Sequence, residues 1–193
     1  QHMRKKFDAV FLDRDGVINY DYGHVGHWNK FDYLPDTISS IKRISSFTNK
    51  IFIVTNQAGI AKGLYTLENF LALNARLLDD FQGNDIEICQ TYYCPHHPKG
   101  IVHKYSISCN CRKPQAGMFT AALFEHHLDP KLCLTVGDKE ISFQRPFKRI
   151  SMTDSIKEFT EFDISGKSVE ELATWCKSIG IVVGHSVVSN AIV

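Results

Sequence analysis

Residues 10–19 read V-F-L-D-R-D-G-V-I-N, and this stretch decides the fold of the chain. The apolar run that begins at Ala9 is short enough for a buried strand. It stops at two carboxylates, Asp13 and Asp15, and Gly16 behind them permits the backbone to turn. Two acids at the end of a buried strand need a cation or a proton between them. One carboxylate therefore suits a nucleophile and hard-metal ligand, and the other a general acid/base, although a strand ending in an acidic turn also fits.

The composition is that of a globular protein, with 193 residues, 44% hydrophobic and 22% charged. The length suffices for a full core, and we expect a single domain over residues 4–193. A formal charge of +1 gives no electrostatic reason to expect nucleic acid or an acidic membrane as a partner. No stretch approaches the roughly 18 to 20 apolar residues of a membrane span, and no apolar segment follows the basic N-terminal residues. We therefore expect a cytoplasmic monomer without a membrane partner.

Predicted strands and helices alternate along the chain. Beyond the first strand, apolar runs predict strands over 51–54, 86–93 and 132–136. Helical spacing and capping residues predict helices at 36–46, from Thr66 onward, at 115–127 and at 169–178, the last capped by Ser168. This alternation predicts an α/β fold with a doubly wound parallel sheet.

Two of these helices carry more specific expectations. Asp36 is expected to cap the first helix. The inner face of the helix at 115–127 is expected to consist of Met118, Ala121, Ala122 and Phe124.

Polar residues follow the predicted strands, at the edge of the sheet where ligands gather in this fold class. The second strand runs into Thr55-Asn56-Gln57-Ala58, and the last one into Gly137-Asp138-Lys139. The Thr55 hydroxyl and nearby backbone N–H groups suit phosphate oxygens. The loop over 20–35 leaves the acidic strand end and is placed to cover a small ligand, although a packed aromatic surface loop fits it as well.

A group of cysteines and histidines lies between residues 94 and 111. Cys94-x-His96 and Cys109-x-Cys111 supply three thiolates and one imidazole, a donor set that suits tetrahedral Zn²⁺. Four protein ligands leave no open position, which is typical of a structural site. The alternative is a loop that is merely rich in thiols. Arg112 and Lys113 follow directly, and such a loop would direct these two cations toward a phosphate or hydroxyl groups.

Four motifs together resemble those of the haloacid dehalogenase (HAD) phosphatase superfamily: D-R-D-G-V-I-N, T-N-Q-A-G-I, C-R-K-P and V-G-D-K. The C-P-H…C-N-C loop resembles the branch that contains the heptose-1,7-bisphosphate 7-phosphatases and the histidinol phosphatases. N-Y-D-Y-G-H-V is nearer the heptose pattern. The resemblance covers about Phe7 to Lys139 and implies a Rossmann-like core with a small zinc-binding loop.

The resemblance also implies roles for individual residues. Asp13 is similar to the phosphate-accepting nucleophile and Asp15 to the general acid/base, while Thr55 and Lys113 resemble the groups that stabilise the transferring phosphoryl. Asp13, the Asp15 carbonyl and Asp138 resemble the Mg²⁺ shell. The zinc ligands would be Cys94, His96, Cys109 and Cys111. Substrate contacts are implied for Asp21, Tyr22, Gly23, His24, Asn56, Gln57, Ala58, Arg112 and Lys139.

The sequence departs from the family pattern after Lys139. Ser142 stands where an acid is usual, and Pro146 would interrupt a helix begun near Glu140. The segment from residue 143 onward is thus atypical. The implied function is hydrolysis of a small sugar phosphate, namely heptose 1,7-bisphosphate. The alternatives are a histidinol-phosphate phosphatase and a non-catalytic binding domain; a polynucleotide 3′-phosphatase is disfavoured because the chain has no basic stripe.

Overall fold

The structure is a computed structural model that describes residues 7–137, the backbone of Lys148 and Arg149, and the single residues Ser168, Glu171 and Thr174. The chain divides into two compact units, residues 1–149 and 150–193. The single domain over 4–193 stays a prediction.

The first unit is built on a parallel sheet with the strand order β3-β2-β1-β4-β5. The strands are β1 (Ala9–Leu12), β2 (Ile51–Asn56), β3 (Gln90–Cys94), β4 (Cys133–Val136) and β5 (Lys148–Arg149). In the register of β1, Phe11 lies opposite Phe52 on one side and Thr135 on the other. The strand that ends in the two carboxylates is therefore central, and its neighbours end beside it.

Helices lie between the first four strands along the chain, as is usual for parallel neighbours. They are α1 (Thr37–Ile44), α2 (Ala58–Ala61), α3 (Leu67–Gly83) and α4 (Gly117–Glu125), with short 3-10 turns at Trp28–Lys30, His103–Tyr105 and Pro130–Leu132. Thr66 caps α3 as predicted, because its hydroxyl accepts a hydrogen bond from Asn69 N while the Asn69 side chain accepts one from Thr66 N. Among the described residues, no helix is both long and apolar enough to cross a membrane.

Apolar side chains fill both faces of the sheet. Phe11 stacks on Phe52 with ring centroids 5.2 Å apart and meets Phe119 of α4 edge to face at 5.3 Å. Leu12 and Ile53, whose side chains alternate to the opposite face, are also fully buried. The predicted α/β class with a doubly wound parallel sheet is confirmed.

Three local predictions were wrong. Regular pairing of β3 begins at Gln90 rather than at residue 86. Asp36 precedes α1, but its backbone is left-handed, with φ of 60°, and its side chain forms no capping hydrogen bond. Phe124 is 82% exposed, and Phe119 is buried in its place beside Met118 and Ala122, because Phe124 lies about 200° around the helix from Ala122.

Within the second unit, the structure describes the start of the helix predicted at 169–178. Glu171 N donates to Ser168 Oγ, and Ser168 N donates to the Glu171 carboxylate. This reciprocal pair is a capping box, so Ser168 is the cap that the sequence predicts. The remaining expectations for residues 143–193 lie outside the described part of the chain.

Candidate active site

Asp13 and Lys113 form a buried ion pair at the carboxyl end of β1. Lys113 Nζ lies 2.5 Å from Asp13 Oδ2, and the two side chains are only 4% and 11% exposed. The same ammonium donates to the Val54 carbonyl of β2 at 2.9 Å. Burial raises the pKa of Asp13 above its ordinary value, while the charge of Lys113 opposes this rise. The pair joins a carboxylate on one strand to a cation that comes about a hundred residues later in the chain.

The backbone of Lys113 is attached to β2 by the side chain of Asn56. Lys113 N donates to Asn56 Oδ1 at 3.0 Å, and Asn56 Nδ2 donates to the Lys113 carbonyl at 3.1 Å. The Lys113–Pro114 peptide bond is cis. One amide thus satisfies both main-chain groups of Lys113 and sets where its side chain begins.

Asp15 is held by three side chains, two from its own motif and one from just after the end of β2. Arg14 Nη2 lies 2.7 Å from Asp15 Oδ1 and 3.0 Å from Oδ2. Asn19 Nδ2 donates to Oδ1 at 3.0 Å, and Gln57 Nε2 donates to Oδ2 at 3.1 Å. The carboxylate is therefore fixed by hydrogen bonds to both of its oxygens, yet its side chain keeps 18% of its surface exposed.

Gln57 links Asp15 to two further polar groups. Its Nε2 also donates to Thr55 Oγ1 at 2.9 Å, and its Oε1 accepts from the Tyr65 hydroxyl at 2.6 Å. Burial raises the pKa of Tyr65 to about 12, so the phenol remains a hydrogen-bond donor at neutral pH. Gly59 makes room for the Tyr65 ring, since a Cβ at this glycine would lie 2.2 Å from Tyr65 Cε1. Ala58, which begins α2, is buried beside this chain of contacts.

The loop over 20–27 carries the predicted substrate residues. Asp21 Oδ1 accepts from Gly23 N at 3.0 Å, and this local turn places Gly23 and His24 at positive φ, 75° and 61°. His24 Nε2 lies 3.1 Å from Lys62 Nζ, and burial together with the charge of Lys62 lowers the pKa of His24. Tyr22 is 59% exposed. The loop thus presents polar and aromatic groups to solvent.

The candidate zinc ligands converge. Their four donor atoms, from Cys94, His96, Cys109 and Cys111, all lie within 4.8 Å of one another. The three Sγ–Sγ distances are 3.2, 3.2 and 3.5 Å, and His96 Nδ1 lies 3.3 and 3.8 Å from two of the sulfurs. Ligand atoms around a tetrahedral Zn²⁺ are separated by about 3.5 to 3.8 Å, whereas a disulfide needs about 2.05 Å. The donor set fits a tetrahedral metal site.

The four-ligand cluster is adjacent to Arg112, which the sequence predicts to contact the substrate. Arg112 Nη1 lies 3.4 Å from the His96 carbonyl. Partial burial, and then the charges of Arg112 and Lys62, lower the pKa of His97. Arg112 and Lys62 therefore form a cationic rim beside His24, whose lowered pKa leaves its imidazole neutral at pH 7.

Named phosphatases match about 70% of this chain. It is 38% identical over 137 residues to D-glycero-β-D-manno-heptose-1,7-bisphosphate 7-phosphatase of Escherichia coli O6:H1, covering 71% of this chain and 72% of that protein. The enzyme of the same name from Haemophilus influenzae is 37% identical over 131 residues, covering 68% and 71%. The chain belongs to this family of HAD phosphatases. No family model matches the sequence.

Solved structures of HAD phosphatases share the fold of this phosphatase. A HAD-like phosphatase from Mesorhizobium loti superposes with a TM-score of 0.62 at 30% identity, covering 70% of this chain and 65% of that one. The D,D-heptose 1,7-bisphosphate phosphatase of B. bronchiseptica, complexed with magnesium and phosphate, gives 0.60 at 26% identity, covering 68% and 70%. The resemblance drawn from the four motifs is confirmed, and so is the class of enzyme, a phosphomonoesterase.

The structure brings most predicted site residues of this phosphatase together, but the roles assigned to them stay predictions. Asp13, Asp15, Thr55, Gln57 and Lys113 lie in one connected set of contacts. Asp138, Lys139 and Ser142 lie outside the described residues. Four contributors were not singled out from sequence, namely Arg14, Asn19, Lys62 and Tyr65. A cation between two carboxylates in D-R-D was the available signal for Arg14, whereas Tyr65 carried none.

Proposed function

We propose that this phosphatase removes the 7-phosphate from D-glycero-D-manno-heptose 1,7-bisphosphate through an aspartyl-phosphate intermediate, with Mg²⁺ bound. The substrate is that named for relatives at 36–38% identity. The buried Asp13–Lys113 pair carries the proposal, since it sets a carboxylate nucleophile against a cation at the end of a central strand.

The chain's own residues supply the two chemical steps. A carboxylate oxygen of Asp13 attacks phosphorus, and the bond from phosphorus to the sugar oxygen breaks. Asp15, in its protonated form, gives its proton to the departing oxygen. Asp15 then takes a proton from the water that attacks the phosphorus of the aspartyl phosphate, which releases phosphate and restores Asp13. Lys113 offsets negative charge on the transferring group, and the Thr55 hydroxyl is available to its oxygens.

The Mg²⁺ ligands we assign are the Asp13 carboxylate, the Asp15 carbonyl and Asp138. All are hard oxygen donors of the kind that Mg²⁺ takes. Gly137, the residue before Asp138, lies beside Asp13: Asp13 N donates to Val136 O at 2.9 Å, and a Cβ at Gly137 would be 3.8 Å from Asp13 Oδ2. When bound, the ion would neutralise charge on the phosphoryl oxygens.

Zn²⁺ is the structural metal that we propose for the four-ligand cluster. Three thiolates and one imidazole match its preferred donors, and the spacing of the donor atoms favours a closed tetrahedral shell. The ion would have no chemical part in hydrolysis. When bound, the Zn²⁺ ion would stabilise the loop that carries Arg112.

The cationic rim favours a substrate with a second anionic group. Burial and the charges of Lys62 and Arg112 lower the pKa of His24, so the positive charge of this rim comes from Lys62 and Arg112. Arginine suits bidentate contacts to phosphate. A bisphosphate would place one phosphate at Asp13 and offer the other to this rim.

The test is a phosphate-release assay on heptose 1,7-bisphosphate and histidinol phosphate, each with and without Mg²⁺. We expect Mg²⁺-dependent release of one phosphate per heptose bisphosphate, and much slower release from histidinol phosphate. Comparable or faster turnover of histidinol phosphate would overturn the substrate assignment. No release from any sugar phosphate at any Mg²⁺ concentration would favour the non-catalytic binding domain.

The proposal also covers the compartment, the oligomeric state and the binding partners of the protein. We propose a cytoplasmic monomer whose partner is the sugar phosphate, with no nucleic acid or membrane partner. The three thiols of the cluster, held 3.2–3.5 Å apart rather than bonded, suit a reducing compartment. Light scattering of the purified protein gives the oligomeric state directly.

A further inference from the structure

We propose that Arg14 is a positioning residue: one buried guanidinium orients the Asp15 carboxylate and anchors the substrate loop over 20–27. The inference rests on the proposed function, in which Asp15 transfers the protons. It assigns a role to the middle residue of D-R-D.

The contacts of Arg14 to Asp15 involve two nitrogens. Nε donates to Asp15 Oδ1 at 3.1 Å, and Nη2 reaches Oδ1 at 2.7 Å and Oδ2 at 3.0 Å. The planar fork of a guanidinium matches the plane of a carboxylate, so these bonds restrain the rotation of the carboxylate as well as its position. A lysine ammonium has no such plane and could only supply charge.

Arg14 cannot contact the substrate directly, because its side chain is fully buried. Its exposed fraction is 0%, whereas the Asp15 side chain keeps 18%. The guanidinium carbon lies 5.8 Å from the centroid of the Phe70 ring on α3. A buried cation is costly unless it is paired, and Asp15 provides the opposite charge. Arg14 therefore affects chemistry only through the groups that it holds.

One of those groups belongs to the loop over the site. Arg14 Nη2 donates to the Val25 carbonyl at 2.5 Å. Val25 is buried and directly follows His24, which contacts Lys62 on the cationic rim. The same nitrogen therefore connects the predicted acid/base to the loop that would contact the sugar.

The experiment compares Arg14→Lys with the parent protein on two substrates. One is a sugar phosphate that the parent hydrolyses, whose alkoxide leaving group needs a proton. The other is p-nitrophenyl phosphate, whose leaving group departs as a stable anion. In each case the first turnover is followed by rapid mixing, as liberated sugar or nitrophenolate. Arg76→Lys is the matched control, because Arg76 is an exposed arginine that stacks on Trp28 at 4.5 Å.

We expect Arg14→Lys to slow sugar release about 10²-fold, the cost of a small misplacement of a catalytic group, and to slow nitrophenolate release much less. Arg76→Lys should leave both rates unchanged. Equal slowing of both substrates, or none, would overturn the assignment of Arg14 while leaving the proposed function intact. Failure of the parent on both substrates would overturn the proposed function and, with it, this inference.

Stability is checked by circular dichroism before the kinetics. If Arg14→Lys does not fold, Arg14→Gln replaces it, since its neutral amide brings no buried cation and can still donate a hydrogen bond to Asp15. The expected split between the two substrates is the same. Failure of both variants to fold would make Arg14 a residue required for folding and would overturn its role in positioning.

Discussion

Lys113 and Arg112 are neighbours in sequence but are anchored to different parts of the molecule. Lys113 is tied to β2 three times, through both main-chain groups to Asn56 and through Nζ to the Val54 carbonyl. Arg112 instead contacts the His96 carbonyl in the loop that carries the metal-ligand cluster. The sheet therefore positions Lys113, whereas the loop with the four candidate metal ligands positions Arg112.

This difference separates two functions that the motif C-R-K-P places together. The carboxyl end of the sheet is preorganised by backbone pairing, as in the hydrogen bond that Gln57 N donates to Cys94 O at 2.8 Å. The cluster loop has only short turns of its own, so its geometry depends on its ligands. We expect chemistry at Asp13 to survive changes that loosen the cluster, and substrate binding at Arg112 not to survive them.

The largest loss of activity is expected for a substitution of Asp13, at the carboxyl end of the central strand. Asp13→Asn should reduce turnover by at least about 10³-fold, since an amide is not a nucleophile and residues that act as a unit show losses of this size. The fold should be retained, as judged by circular dichroism. Turnover close to that of the parent would remove Asp13 from the mechanism.

Loosening the cluster should give a different kinetic signature. We expect about one zinc per chain by elemental analysis. Cys109→Ser, or removal of the metal by a chelator, should raise KM by about 10- to 100-fold, the usual range when a metal site is disturbed. The value of kcat should fall less. Hydrogen exchange should accelerate around residues 94–112. A reduced, unchelated sample without zinc would contradict the metal assignment, and a loss confined to kcat would contradict the separate anchoring of the two cations.

Removing the hydrogen bonds between Lys113 and β2 should affect kcat more than KM, the reverse of the effect expected for Cys109→Ser. Asn56→Ala removes two hydrogen bonds to the main chain of Lys113, a cost of about 1 to 3 kcal/mol. It should lower kcat more than it raises KM. Asn69→Ala is the matched control, because Asn69 belongs to the capping box of α3 and should affect only the melting temperature. Equal kinetic effects from the two substitutions would show that Asn56 does not position Lys113.

The smallest effect is expected at Tyr65. Tyr65→Phe removes the donor to Gln57 Oε1 but keeps the ring against Gly59, so it should destabilise the fold by about 1 kcal/mol. Turnover should fall only a few-fold, because Arg14 and Asn19 still hold Asp15. The free energy of unfolding from urea titration and kcat at saturating substrate measure the two effects. A loss as large as that of Asn56→Ala would mean that Gln57 has a larger part in orienting Asp15.

Sequence predicted the elements whose periodicity is strong and missed those that tertiary contacts control. β1 was placed at its observed residues because four consecutive apolar residues stop abruptly at a charge. The start of β3 was misplaced because the pairing of residues 86–89 depends on the neighbouring strand, not on their own apolar character. Phe124 was misassigned because an aromatic residue at approximate helical spacing can still point outward.

The sequence by itself determined the alternation of strands and helices, the donor set of the cluster and the family, because these depend on residue types at short spacings. Only the tertiary structure decided which partners each side chain has. Nothing in the spacing of Asn56 and Lys113 says that one amide would satisfy both main-chain groups of the other residue. The burial of Arg14 against Asp15, Val25 and Phe70 likewise depends on three segments meeting, and the energy of such contacts is set by distance in space rather than by distance along the chain.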